Sequence, residues 1–172
     1  MKYTSMALFF FYLLMLSPSI SAQNSNTEFD AVVKEYLSLY TRMDFDELRE
    51  FYTEESVFED PTTSVFDADG NYQRLKGPDD ITAFLVKGFA GMSDICFEIQ
   101  EEYTSGVVAF QYGILHYSST IGTTKDGQPF QFDLPLSIVL IIKNGKVIHH
   151  QDFADYKTWN QQYVNQLEKS RQ

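Results

Sequence analysis

The sequence predicts an α+β fold, a cone-shaped roll. A strongly curved antiparallel sheet wraps around three N-terminal helices and leaves a cone-shaped cavity. Two observations point there. Up to Gly91 the apolar residues recur at helical spacing, and beyond it they alternate or run together in Ile-, Val- and aromatic-rich stretches. Turn signals at Ser105-Gly106, Lys125-Asp126-Gly127 and Asn144-Gly145 then cut the second half into four strands, and Asn-Gly is a strong hairpin signal.

The elements follow in order. Lys2 gives a positive start, Met6 to Leu16 is apolar, and Ser17 to Ala22 offers small residues for cleavage. The run is short for a membrane span, so residues 1–22 are expected to be a secretory signal peptide, with the protein secreted or periplasmic. The remaining residues, 23–172, are expected to form a single domain with no membrane association after cleavage. Residues 23–26 are expected to be an irregular lead-in. From Thr27 to about Tyr40 a helix places Phe29, Val32, Val33, Tyr36, Leu37 and Tyr40 on one face. Asp44 to Tyr52 is a second helix, with Asp44 and Glu47 as a capping box. Ser56 to Glu59 is a short strand. Residues 61–77 are turn-rich, with a tight reversal at 67–71. Gly77-Pro78-Asp79-Asp80 opens a third helix carrying Ile81, Phe84 and Leu85, ended by Gly91. The strands are Ile95–Tyr103, Val107–Thr120, Phe130–Lys143 and Lys146–Phe153. Tyr156 to about Glu168 forms a terminal helix that packs Trp159, Tyr163 and Leu167.

Composition excludes some classes. The net charge is −11, and cleavage would remove Lys2 but no acid. Such a surface repels nucleic acid and anionic lipid, and no basic patch offsets it. Cys96 is the single cysteine, so no intrachain disulfide forms; it lies in an apolar run and is expected to be a buried small hydrophobe. Stability must come from packing, for which 15 Phe and 11 Tyr are available.

The stretch Phe58-Glu59-Asp60-Pro61 ends a buried strand with an acid held by proline. A carboxylate there and the Tyr36 hydroxyl, meeting in one apolar cavity, make an acid/base site. The other reading makes Asp60 a turn cap and Tyr36 ordinary core. His150 and Asp152 share one face of the last strand, and burying both without a purpose is costly. On the strand 107–120, Phe110, Tyr112, Ile114 and His116 share one face, while Gln111, Gly113, Leu115 and Tyr117 share the other. Parity alone does not say which faces inward. His116, His150 and Asp152 lack a metal-motif spacing, and neither metal nor other cofactor is expected.

The order Asp44-Phe45-Asp46-Glu47-Leu48, Phe58-Glu59-Asp60-Pro61, Gly77-Pro78-Asp79-Asp80-Ile81-Thr82-Ala83-Phe84 and Gly145-Lys146-Val147-Ile148 resembles the nuclear-transport-factor-like superfamily. The likeness runs over about residues 28–156 and is greatest to ketosteroid isomerases and SnoaL-like polyketide cyclases. It implies a cone with a deep apolar pocket, in a family often dimerised through the convex sheet, and a homodimer is expected here. By this resemblance Asp60 matches the isomerase general base, and Tyr36 falls on the oxyanion-hole tyrosine. The isomerase's second oxyanion donor is replaced by Leu136, or by Ser137 if the hairpin shifts by one residue. Gln151-Asp152-Phe153-Ala154-Asp155 is similar to a strand of limonene epoxide hydrolases, which sets Asp152 at a catalytic acid. The hydrolase's partner residues would fall near Tyr112 and Ile114, so that machinery is absent. His116 could supply an imidazole, as in SnoaL-like cyclases. Expected pocket-lining residues are Phe58, Phe84, Phe110, Tyr112, Ile114 and Leu136. Two functions follow as expectations. One is cofactor-independent proton transfer of isomerase, cyclase or dehydratase type on a small apolar oxygenated substrate. The other is a non-catalytic binding module for a lipophilic molecule.

Overall fold

The computed structural model describes residues 20–172, with side chains from Thr27 onward. The leader expected over 1–22 therefore lies outside the described residues, apart from the backbone of 20–22. Helix α1 runs Ile20–Arg42, starting earlier than predicted. Residues 23–26 are helical rather than irregular: Gln-Asn-Ser-Asn contains no glycine or proline to break a helix already under way. Val33, Tyr36, Leu37 and Tyr40 of the predicted face are buried. Helix α2, Phe45–Arg49, is capped by the Asp44 side chain, which accepts from the Glu47 N–H. The reciprocal half of the box is not formed, because the Asp44 N–H donates to the Leu39 carbonyl at 3.0 Å.

Strand β1, Val57–Asp60, runs into a single 3₁₀ segment, Pro61–Phe66. A strand that periodicity did not show, β2 (Gln73–Lys76), pairs antiparallel with β1. Its Gln-Arg-Leu-Lys sequence carries one half-buried residue and hence no alternation to read. Helix α3, Pro78–Gly88, starts from Gly77 at φ +84° and buries Ile81 and Leu85.

The four long strands come next: β3 (Met92–Ser105), β4 (Val108–Thr123), β5 (Pro129–Lys143) and β6 (Lys146–Ala154). Asn144 and Gly145 have φ of +51° and +72°, the pair of positive values that a type I′ hairpin needs. The meander is extended at one side: β1 pairs parallel with β6, giving one six-stranded sheet ordered β2-β1-β6-β5-β4-β3. Register shifts in β3 and near the ends of β4 and β5 bend the sheet without closing it.

Helix α4, Tyr156–Arg171, lies across the first half of β5. Trp159 stacks on Phe132 with centroids 5.5 Å apart. β6 pairs with β5 only from Leu136 onward, so the earlier part of β5 has a free edge. Gln166 accepts from the Gln131 N–H at 2.9 Å and donates to its carbonyl at 2.8 Å. Gln162 does the same to Asp133, at 2.9 and 2.7 Å. Two glutamines one helical turn apart thus satisfy the exposed edge in place of a strand. Cys96 is exposed rather than buried, because its register partner is His116 on the outer face of the sheet.

Candidate active site in the sheet cavity

Between the inner face of the sheet, α3 and α4 lies a cavity of about 540 Å³. Its walls include Phe58, Phe84, Leu134, Leu136, Tyr117 and Trp159, and two carboxylates, Asp60 and Asp152, reach into it.

Asp60 arrives from the end of β1. Alternation turns Phe58 and Asp60 inward, and Glu59 outward to Arg74, His149 and Gln151. Asp60 is 4% exposed. Its Oδ1 accepts from the Thr62 N–H at 2.9 Å and from the Thr62 hydroxyl, so it caps the 3₁₀ segment. Its Oδ2 accepts from the Tyr156 hydroxyl at 2.7 Å. The two readings of Asp60 therefore coexist: the residue is a cap that also faces the cavity. Burial holds its carboxyl above the usual carboxylate range. The hydrogen bonds from Thr62 and Tyr156 oppose that shift, and the charge of Asp152 adds to it.

Asp152 arrives from β6, two residues after His150 on the same face; both are buried. His150 Nε2 lies 2.7 Å from Asp152 Oδ1, and the Tyr40 hydroxyl donates to Oδ2 at 2.9 Å. His150 Nδ1 is 2.6 Å from the Tyr36 hydroxyl, which is 2.5 Å from that of Tyr52. With Asp152 as a carboxylate, the protons in this chain run one way. Tyr52 donates to Tyr36, Tyr36 to Nδ1, and the Nε2–H to Asp152. Burial, the largest cause, pushes the Tyr36, Tyr52 and Tyr40 phenols up, and it does the same to Tyr156 beside Asp60. All four phenols stay protonated and act as donors.

The expected site residues are thus distributed over three places. Asp60 and Asp152 face the cavity. Tyr36 and His150 do not line it; they stand behind Asp152 as its support, so a hydroxyl of Tyr36 on the substrate is corrected to a hydroxyl on His150. His116 lies on the outer face, with Nδ1 2.7 Å from Asp133 and Nε2 3.3 Å from Glu98. The hydrogen bond to Asp133 is the main reason its imidazole is raised above the ordinary value.

Of the expected lining, Phe58, Phe84 and Leu136 line the cavity. Phe110, Tyr112 and Ile114 do not. Burial along β4 falls on Ala109, Gln111, Gly113, Leu115 and Tyr117, which turns the other three outward with His116. Tyr40, Tyr52 and Tyr156 carry no functional motif in the sequence. Tyr40 carried a signal, one turn after Tyr36 on the same apolar face, whereas Tyr156 meets Asp60 only through the tertiary fold. Among the described residues no group of three or more His, Cys, Asp or Glu is placed to hold a metal ion. No helix among them is long and apolar enough to cross a membrane.

A profile of the SnoaL-like domain matches residues 33–150. Solved structures share the fold. A protein assigned as a SnoaL-like polyketide cyclase from Shewanella putrefaciens superposes with a TM-score of 0.67 at 23% identity, covering 81% of this chain and 98% of that one. An LEH-like epoxide hydrolase from M. tuberculosis gives 0.63 at 14% identity, covering 82% and 92%. A protein assigned as a polyketide cyclase from Streptomyces antibioticus gives 0.62 at 16% identity, covering 79% and 98%. At such identities the likeness speaks for the fold alone. No curated protein matches the chain in sequence.

Proposed function

The chain belongs to the SnoaL-like domain family, and we propose that it is an exported acid/base catalyst acting on a small apolar oxygenated substrate. The observation that carries this reading is the pair of buried carboxylates in one cavity with different surroundings. Pairs of titratable groups held in unlike environments divide into an acid and a base.

Asp152 is the base. Its charge is matched by donors from His150 and Tyr40, and the Tyr52–Tyr36–His150 chain fixes the imidazole tautomer behind it. Asp60 is the acid, since burial favours its protonated form. Asp152 takes a proton from a carbon next to a carbonyl while Asp60 gives one to the oxygen. The proton returns at another position, a β-hydroxyl leaves as water, or the enol carbon attacks a second carbonyl of the same molecule, so isomerisation, dehydration and cyclisation are all within reach. The apolar walls exclude water and strengthen both interactions. Export rests on the charged, apolar and small-residue pattern of residues 2–22.

The test uses 2-tetralone in D₂O, with α-carbon deuterium exchange followed by proton NMR. The wild-type protein is expected to accelerate exchange over buffer, and Asp152→Asn to lose about 10²–10⁴-fold of that rate, the scale of one general base. Retention of the ketone in the cavity with exchange at the buffer rate would replace catalysis by binding alone.

The outer face of the sheet supports a homodimer. Val108, Phe110, Tyr112 and Ile114 of β4 adjoin Val139 and Ile141 of β5 across it, with Phe153 39% exposed beside them. A second copy of the chain is the partner proposed for this apolar face. Sedimentation equilibrium at micromolar protein is expected to give the dimer mass, and Tyr112→Asp the monomer mass.

A further inference from the structure

The charge balance of the cavity carries an inference about its ligand. Two carboxylates, each about 95% buried, face it, and no lysine or arginine lines it among the described residues. Among the described residues, every donor to those carboxylates is a neutral hydroxyl or backbone group, except the imidazole of His150. With Asp60 as the protonated acid and the His150 Nδ1 accepting from Tyr36, so that the imidazole is neutral, the charge of Asp152 is left without a cation. A buried charge with no partner is costly and attracts either a proton or a cation.

The walls favour the cation. Tyr40, Phe58, Phe84, Tyr117, Tyr156 and Trp159 all line the cavity. A cation over aromatic faces is attracted by their quadrupoles, most strongly where water is excluded. Neutral apolar ligands need only the walls, and carboxylate or phosphate ligands would be repelled. The overall charge of −11 further concentrates cations at the surface.

We infer that the ligand of this cavity carries an amine: an apolar molecule with a tertiary or quaternary ammonium group seated between Asp60, Asp152 and the surrounding rings. This rests on the reading of the cavity as the substrate site and names the class of molecule that fits it. The oxygen on which acid/base chemistry acts and the ammonium are two parts of one ligand. The ammonium pairs with whichever carboxylate is ionised.

The experiment compares phenyltrimethylammonium with its uncharged isostere, tert-butylbenzene, by NMR titration of the cavity aromatic resonances of the full chain. The ammonium is expected to bind at least about tenfold more tightly, which corresponds to roughly 1.4 kcal/mol. Asp152→Asn, checked for a native spectrum, is expected to narrow that ratio while leaving tert-butylbenzene binding unchanged. Equal binding of the two probes, or tighter binding of the neutral one, overturns the inference. 2-Tetralone exchange separates the two readings. Exchange without ammonium preference removes the amine and leaves the catalytic proposal, whereas ammonium preference without exchange does the reverse.

Discussion

Tyr36→Phe tests the buried chain behind Asp152. Tyr36 is fully buried and its hydroxyl links Tyr52 to His150. Removing that oxygen leaves the Tyr52 hydroxyl and His150 Nδ1 without it, in a region that water does not reach. An unsatisfied buried polar group costs about 1–3 kcal/mol, so the two together cost about 2–6 kcal/mol. Tyr52→Phe is the control: Tyr36 keeps its bond to His150, and the loss is about 1 kcal/mol. For a chain of this length each kcal/mol lowers Tm by about 2–4 °C, so the variants are expected to differ by several degrees. Urea unfolding supplies the free energies, and the double variant supplies the coupling. Tyr36→Phe costs no more than Tyr52→Phe if the chain is not a relay, and that result would refute the reasoning. A second readout is 2-tetralone exchange. Tyr36→Phe should slow it without changing ketone binding, because His150 loses the partner that fixes its tautomer.

Three further outcomes are expected. Asp60 has its folded protonation raised above the ordinary carboxylate value of 3.8, mainly by burial. The stability it contributes is therefore present below that value and is lost as pH rises through the raised one. Asp60→Asn should gain on the wild type in Tm between about pH 4 and neutrality, and a pH-independent difference would contradict this. Gly113→Ala should destabilise by more than about 2 kcal/mol, because a Cβ there would sit 2.1 Å from the Glu98 carbonyl oxygen, which is backbone and cannot yield cheaply; unfolding at the wild-type urea midpoint would disprove the contact. Gln162→Ala with Gln166→Ala should expose the β5 edge, and hydrogen exchange at the Gln131 and Asp133 amides should rise well above that at Ile138, which β6 covers.

The parts of the fold that repeat locally were legible in the sequence. The helix face from Val33 to Tyr40, the Asn144-Gly145 hairpin and the strand alternation each follow from spacing within a few residues. β2 was not legible, since a four-residue edge strand with little burial has no pattern. The parallel pairing of β1 with β6 joins residues some ninety apart and is set by packing rather than by any local signal. At the site, parity placed His150 and Asp152 together on β6. On β4 it offered two equivalent faces, and helix packing chose the face of Gln111 and Tyr117, so Phe110, Tyr112, Ile114 and His116 went outward. Nothing near Tyr156 in sequence points to Asp60. Only the curvature of the sheet and the placement of α4 bring the two within 2.7 Å.

The most direct measurement is a carbon-13 NMR titration of the Asp60 carboxyl in the wild-type protein and in Asp152→Asn. Both proposals need the two acids in one apolar cavity, close enough to feel each other. Asp60 is expected to titrate above 3.8 in the wild type and to move down when Asp152 loses its charge. An ordinary midpoint that does not respond to the substitution would mean that the carboxylates do not share a site.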